Sequence, residues 1–180
     1  MRPWPNLIRH WISTPTIAGS NPAERATLNK TKGHSMLITI DCEWDGFDSF
    51  KERSGSLISM ALVAEDGSEF YEVLPYDNLT SWVGNNVVPV LNKQPIPYHE
   101  FQTKLSLFLG RFGSFELVAD WPEDIAKFCE ALITGPGMRM NTPNFTMSIE
   151  RIDTVSKIPH NALEDARALM EALLNLKYDE

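Results

Sequence analysis

Cysteine is scarce in this chain: Cys42 and Cys129 are the only two among 180 residues. Their separation fits neither a zinc site nor a disulfide framework, so reduced thiols in a cytoplasmic setting are expected. Long apolar runs are absent as well. None approaches the roughly 20 residues that a bilayer-crossing helix needs, so no membrane association is expected. Met1 to Trp11 carries only scattered apolar positions and no apolar h-region, which argues against a secretory signal. No glycine-rich phosphate loop and no serine-centred nucleophile elbow is visible, so two common enzyme signatures are missing. Repeats and low-complexity tracts are missing too. What remains is 43% hydrophobic content in a length suited to one domain with a proper core.

Positive charge is also in short supply. Lysine and arginine number 16 against 24 aspartates and glutamates, a net of −8. The deficit is uneven. Residues 1–35 hold Arg2, Arg9, Arg25, Lys30 and Lys32 against Glu24, a net of +4, while the rest carries 11 basic and 23 acidic residues. So acidic a body argues against coating duplex nucleic acid, where affinity comes from many phosphate contacts. Gripping one short strand end is still possible, because bound metal ions supply positive charge locally. Residues 12–35 are rich in Ser, Thr, Pro, Gly, Asn and Lys and read as a flexible basic arm. Met36 opens the first strong strand, so the arm reads either as a tail that touches nucleic acid or as an over-extended start, the second being favoured. The domain is expected over 36–180.

From Met36 the pattern is regular. Strands are expected at Met36–Asp41 and Leu57–Ala64, the second apolar at nearly every position, as in a central strand. Asp66-Gly67 signals a hairpin turn before a strand at Glu69–Leu74. Phe101, Leu105, Phe108, Leu109 and Phe112 form the buried stripe of a helix over Tyr98–Phe112. A strand at Phe115–Ala119 leads to a helix from Pro122 to Ile133, with proline at a favoured start position. Asn144–Ile152 reads as a strand and Ala162–Leu176 as a closing helix. The order makes an α/β layered domain.

The chemistry lies in three blocks, Ile38-Thr39-Ile40-Asp41-Cys42-Glu43-Trp44, Val118-Ala119-Asp120-Trp121-Pro122-Glu123-Asp124 and His160-Asn161-Ala162-Leu163-Glu164-Asp165-Ala166. Strand alternation points Asp41 and Glu43 to one face and Cys42 to the other. Two carboxylates side by side at the end of a buried strand repel unless neutralised, and a hard, oxygen-seeking cation does this. The bland alternative makes Asp41 a loop start and Glu43 a solvated acid. Asp165 falls in the first turns of the last helix, where the macrodipole alone would favour an acid. His160 precedes it in a loop, and Ala162 and Ala166 leave space beside them. Such acids can converge on two divalent cations, with a histidine to take a proton from water.

These blocks resemble the motifs of the DEDDh family of 3′–5′ exonucleases, which includes oligoribonuclease, RNase T and proofreading exonuclease subunits. With the run Leu57–Gly67, the chain looks closest to small bacterial and phage 3′–5′ exoribonuclease-like proteins. The resemblance spans roughly Leu37 to Leu176. It implies an RNase H-like fold, a mixed central β-sheet flanked by α-helices. It implies metal ligation by Asp41, Glu43, Asp165 and a middle acid, with His160 as general base. Helix register favours Asp124 as that middle acid, because Ile125, Phe128, Cys129 and Leu132 follow as its buried stripe. Asp120 is the alternate, and the family's usual Asn is missing. Two divalent ions, Mg²⁺ or Mn²⁺, would be the cofactors, with Asp41 shared between them. The implied substrate is a single-stranded 3′ end, RNA favoured over DNA, and a homodimer is possible. A polymerase-associated proofreading subunit or a silent nucleic-acid-binding module are the alternatives. Trp44 is expected to stack on a base and Leu57 to wedge against the last one. Ile58 is expected in the core, Trp82 and Trp121 as packing residues, and Gly135–Arg139 as a mobile loop near the site, with Arg139 offered to a phosphate.

Overall fold

The computed structural model describes residues 35–46 and 55–178. The basic arm, apart from Ser35, and Phe47 of the loop after the first strand lie outside the described residues. Seven strands and four helices follow in chain order, β1 (Met36–Asp45), β2 (Ser56–Ala64), β3 (Glu69–Val73), α1 (Ser81–Asn86), α2 (Tyr98–Leu109), β4 (Ser114–Ala119), α3 (Pro122–Ala131), β5 (Ile133–Gly135), β6 (Met138–Arg139), β7 (Asn144–Ile149) and α4 (Ala162–Tyr178). A short 3₁₀ turn, Val88–Val90, follows α1.

Five strands form one sheet in the order β3-β2-β1-β4-β7. β1 pairs antiparallel with β2, β2 antiparallel with β3, and β4 runs parallel to both β1 and β7. This is the mixed, helix-flanked α/β sheet expected. β2 is buried along nearly all its length because helices cover both faces of the sheet. On one face Ile38, Ile40, Met60, Leu62 and Leu117 pack with Phe101, Leu105 and Phe128 from α2 and α3. On the other, Ala61 and Val63 pack with Ala162, Ala166 and Met170 of α4. Ala162 and Ala166 are completely buried, so they serve close helix-on-sheet packing and do not leave the open space expected beside them. Each large side chain so buried contributes roughly 1.5–3 kcal/mol.

Several boundaries move for physical reasons. β1 runs four residues past Asp41, because β2 pairs with it as far as Asp45. Asp41 and Glu43 therefore lie inside a strand, and the loop-start reading of Asp41 fails. α2 ends at Leu109 with Gly110 as its C-cap, and the amide of Phe112 bonds back to Leu109. The Gly135–Arg139 segment is not a loose loop but the last residue of β5, the turn and the second strand of the β5–β6 hairpin, closed by Gly137 at φ 69°. The region of α1 escaped the sequence reading, since six residues carry too little periodicity. Its start is nevertheless marked by Thr80, whose side chain accepts from the Val83 amide. Among the described residues no helix is long and apolar enough to cross a membrane.

Candidate metal centre and catalytic cleft

Topology brings the three blocks together. β1 and β4 are parallel neighbours, so their carboxyl ends lie side by side and Asp120, just past β4, emerges next to Asp41. Pro122 starts α3 at once, and Asp124 falls in its first turn. The third block is delivered by α4, which crosses the Asp41–Glu43 face of β1. Thr39 Oγ1 donates to the Ala166 carbonyl at 2.7 Å, fixing that crossing. Asn161 caps α4, its side-chain oxygen accepting from the Glu164 amide at 3.2 Å. Asp165, one turn into the helix, therefore faces Glu43.

The result is two overlapping acid groups. Oxygens of Asp41, Asp120 and Asp124 lie within 4.8 Å of one another, as do oxygens of Asp41, Glu43 and Asp165. Asp41 belongs to both. The middle acid need not be chosen, since Asp120 and Asp124 both reach it. They differ in setting. Asp124 is 1% exposed, and its Oδ1 accepts from the Cys42 amide at 3.0 Å, whereas Asp120 is half-buried. Ser156 and the His160 backbone lie near the Asp165 carboxylate and offset part of the effect of its burial.

Proximity and burial cost these carboxylates dearly. Desolvation, then the charges of Asp124, Glu43 and Asp165, hold Asp41 well above the usual carboxylate range. Desolvation, with Asp165 second, pushes Glu43 from 4.5 to about 8. Desolvation, with Asp120 second, pushes Asp124 from 3.8 to about 8. Asp120 and Asp165 are also raised by desolvation. The buried Oδ2 atoms of Asp41 and Asp124 find no hydrogen-bond partner among the described residues. Buried acceptors are normally satisfied, and an all-oxygen donor set with orphaned lone pairs suits a hard divalent cation. These residues could hold divalent metal ions.

The metal-free protein should therefore lose stability with rising pH. Between about pH 4 and pH 8 the folded chain keeps protons on Glu43 and Asp124 that the unfolded chain has released, and stability falls wherever the folded state binds more protons. Their contribution is full below pH 4 and gone above pH 8. Urea unfolding in chelator at a series of pH values should show this decline, and Mg²⁺ or Mn²⁺ should reverse it most at the alkaline end. A flat metal-free profile would contradict the clustering of these acids.

Both groups open into a cleft of about 880 Å³. Asp41, Glu43, Asp45, Asp120, Asp124 and Asp165 line it, with no lysine or arginine among the described residues. His160 lies in the same cleft, exposed and in the left-handed backbone region at φ 65°. Trp44 lines it as well. Leu57 does not: it pairs with Trp44 across the strands and lines a neighbouring cavity with Lys127 and Glu130. A register shift between Glu43 and Trp44 separates the acids from that pair. Ile58 is core, packed with Val73, Val83 and Leu91. Arg139 is exposed and not among the residues lining the cleft.

Two tryptophans depart from the expectation of the sequence. Trp82 and Trp121, expected as packing, are 55% and 53% exposed and both line the cleft. Trp121 carried its own signal, standing between Asp120 and Pro122. Trp82 had none, because long-range contacts, among them the tie between Asp45 and Thr80, bring α1 to the end of β1. The Thr80 amide and hydroxyl donate to the Asp45 carboxylate at 2.6 and 2.9 Å.

The fold has a counterpart among solved structures. The crystal structure of cell-death related nuclease 4 (CRN-4) matches 80% of this chain at 16% identity, with a TM-score of 0.52. The chain shares its fold with a nuclease. It spans 64% of the length of CRN-4, and at this identity the likeness concerns the fold alone. No family model matches the chain, and neither does any curated protein.

Proposed function

We propose that the chain is a metal-dependent 3′–5′ exonuclease that hydrolyses phosphodiester bonds at single-stranded ends, RNA favoured over DNA. One observation carries the reading: Asp41 is shared by two carboxylate groups in a cleft that also holds His160. A nuclease of the same fold supports it. Asp41, Glu43 and Asp165 would hold one divalent ion, and Asp41, Asp124 and Asp120 the other. Bound there, Mg²⁺ or Mn²⁺ would act as a Lewis acid, offsetting charge that develops on the scissile phosphate.

The chain's own groups supply the rest. His160 takes a proton from the attacking water as its oxygen bonds to phosphorus and the bond to the 3′-oxygen breaks, the departing oxygen keeping the electron pair and taking a proton from solvent to become a 3′-hydroxyl. Histidine is the side chain that most often serves in such proton transfer. Trp44 and Trp121 offer aromatic faces to unpaired bases, a mode of binding that tolerates any sequence. In a cleft lined by acids, those faces and the metal charge replace the basic side chains that hold most nucleic acids.

The direct test is digestion of single-stranded RNA and DNA, labelled at either end, with Mg²⁺, Mn²⁺ or chelator. Stepwise shortening of the 5′-labelled strand that chelation stops is the expected result. Shortening from the 5′ end, internal cutting, or cleavage that survives chelator would sink the proposal. Binding without cleavage would favour a silent nucleic-acid module instead.

A further inference from the structure

We propose that Trp82 is a positioning residue for His160, fixing the direction of its imidazole over the carboxylate cleft; the inference rests on the exonuclease reading above. A general base is effective only when oriented, and in most catalytic sites a third group bonds its far side to do so. Here no hydrogen bond among the described residues holds the His160 ring. Its contact is aromatic: the Trp82 indole meets it edge to face, with centroids 5.0 Å apart and planes at 81°. Such T-shaped pairs are a preferred aromatic geometry. Without this contact the ring would swing freely on an exposed loop.

Trp82 can orient a neighbour because it is itself anchored. It sits on α1, whose cap Thr80 is gripped by Asp45 from the end of the catalytic strand. Val83 and Val87 of the same segment are buried with Ile58 and Val73. From the other side Asn161, next to His160 in the chain, donates to the Val90 carbonyl at 2.6 Å. The segment 80–90 thus holds the base twice, through its backbone neighbour and through its ring. Trp82 is more exposed than buried, so packing the core does not account for a tryptophan here.

The rival role is a base-stacking platform, and kinetics separate the two. Trp82→Ala, Trp82→Phe, His160→Ala and the W82A/H160A double variant would be assayed on a 5′-labelled single-stranded oligoribonucleotide with Mn²⁺. A base contributes about 10²–10⁴-fold, so losing only its orientation should lower kcat roughly tenfold in W82A, with KM changed less than about twofold. W82F, which keeps a ring, should recover most of that loss. In the H160A background W82A should cost nothing more, because the two act as one unit. Independently of activity, the His160 ring protons of the metal-free protein, identified by their disappearance in H160A, should shift in W82A as the indole ring current is lost. Should W82A not fold, Trp82→Leu keeps apolar bulk without the ring and serves in its place. A rise in KM at constant kcat, an equal loss in the H160A background, or unmoved ring protons would each overturn the proposal. Absence of any cleavage by the parent protein would instead mark the failure of the exonuclease reading.

Discussion

Asp41→Asn is expected to abolish hydrolysis while leaving the metal-free protein as stable as the parent or more so. Asp41 is the one acid in both carboxylate groups, so its loss weakens both ion sites at once. Metal charge stabilisation is worth several kcal/mol in such reactions, and roughly 4 kcal/mol corresponds to about a thousandfold in rate. The stability arm has the opposite sign. A buried carboxylate crowded by Asp124, Glu43 and Asp165 is a liability without metal. Asparagine keeps the shape, removes the repulsion and brings an amide donor within reach of its neighbours. Thermal unfolding should show no fall in Tm in chelator, and the rise that Mn²⁺ gives the parent should vanish. Stabilisation by a ligand at 100 times its Kd is about 2.7 kcal/mol, so the lost shift is readily measured. Retained hydrolysis, or a large loss of metal-free stability with the Mn²⁺ shift intact, would make Asp41 structural. Asp124→Asn should follow Asp41→Asn closely. Asp120→Asn should lose less, because Asp120 is half-exposed and water can take its place.

His160→Ala is the second large effect, and it should divide hydrolysis from metal binding. Loss of a general base costs about 10²–10⁴-fold. His160 belongs to neither carboxylate group, so the Mn²⁺-induced rise in Tm should survive in the variant. Its backbone sits at φ 65°, a conformation that most residues resist and asparagine tolerates. His160→Asn is therefore the matching control, losing the base without adding strain. If both variants lose hydrolysis alike, the imidazole is responsible. If Asn is active and Ala is not, the backbone at this position matters and the base lies elsewhere.

The local elements were legible because their signals are local. The apolar run of β2, the stripe of α2, the proline opening α3 and the alternation that puts Asp41 and Glu43 on one face each span a few residues. Such patterns follow from strand and helix periods alone. Acid-x-acid on a strand and an acid in the first turns of α4 could be read the same way. The loose-loop reading of Gly135–Arg139 failed because glycine and proline mark a turn without saying whether short strands flank it.

By itself, then, the sequence determined an α/β order of strands and helices and the acids that would make a metal site. Only the tertiary structure decided how those acids are grouped. Parallel pairing of β1 with β4 and the crossing of α4 over β1 set distances between residues as far apart in the chain as Asp41 and Asp165, and no local pattern encodes these. The same holds for the middle acid. Register could rank Asp124 above Asp120, but both reach Asp41, because one directly follows β4 and the other lies in the first turn of α3 beside it. It holds again for the tryptophans, since exposure in a cleft is a property of what surrounds a side chain. Trp82 reaches His160 across 78 positions of sequence because Asp45 ties Thr80 to the end of the strand that carries the acids and Val83 and Val87 pack with Ile58 and Val73.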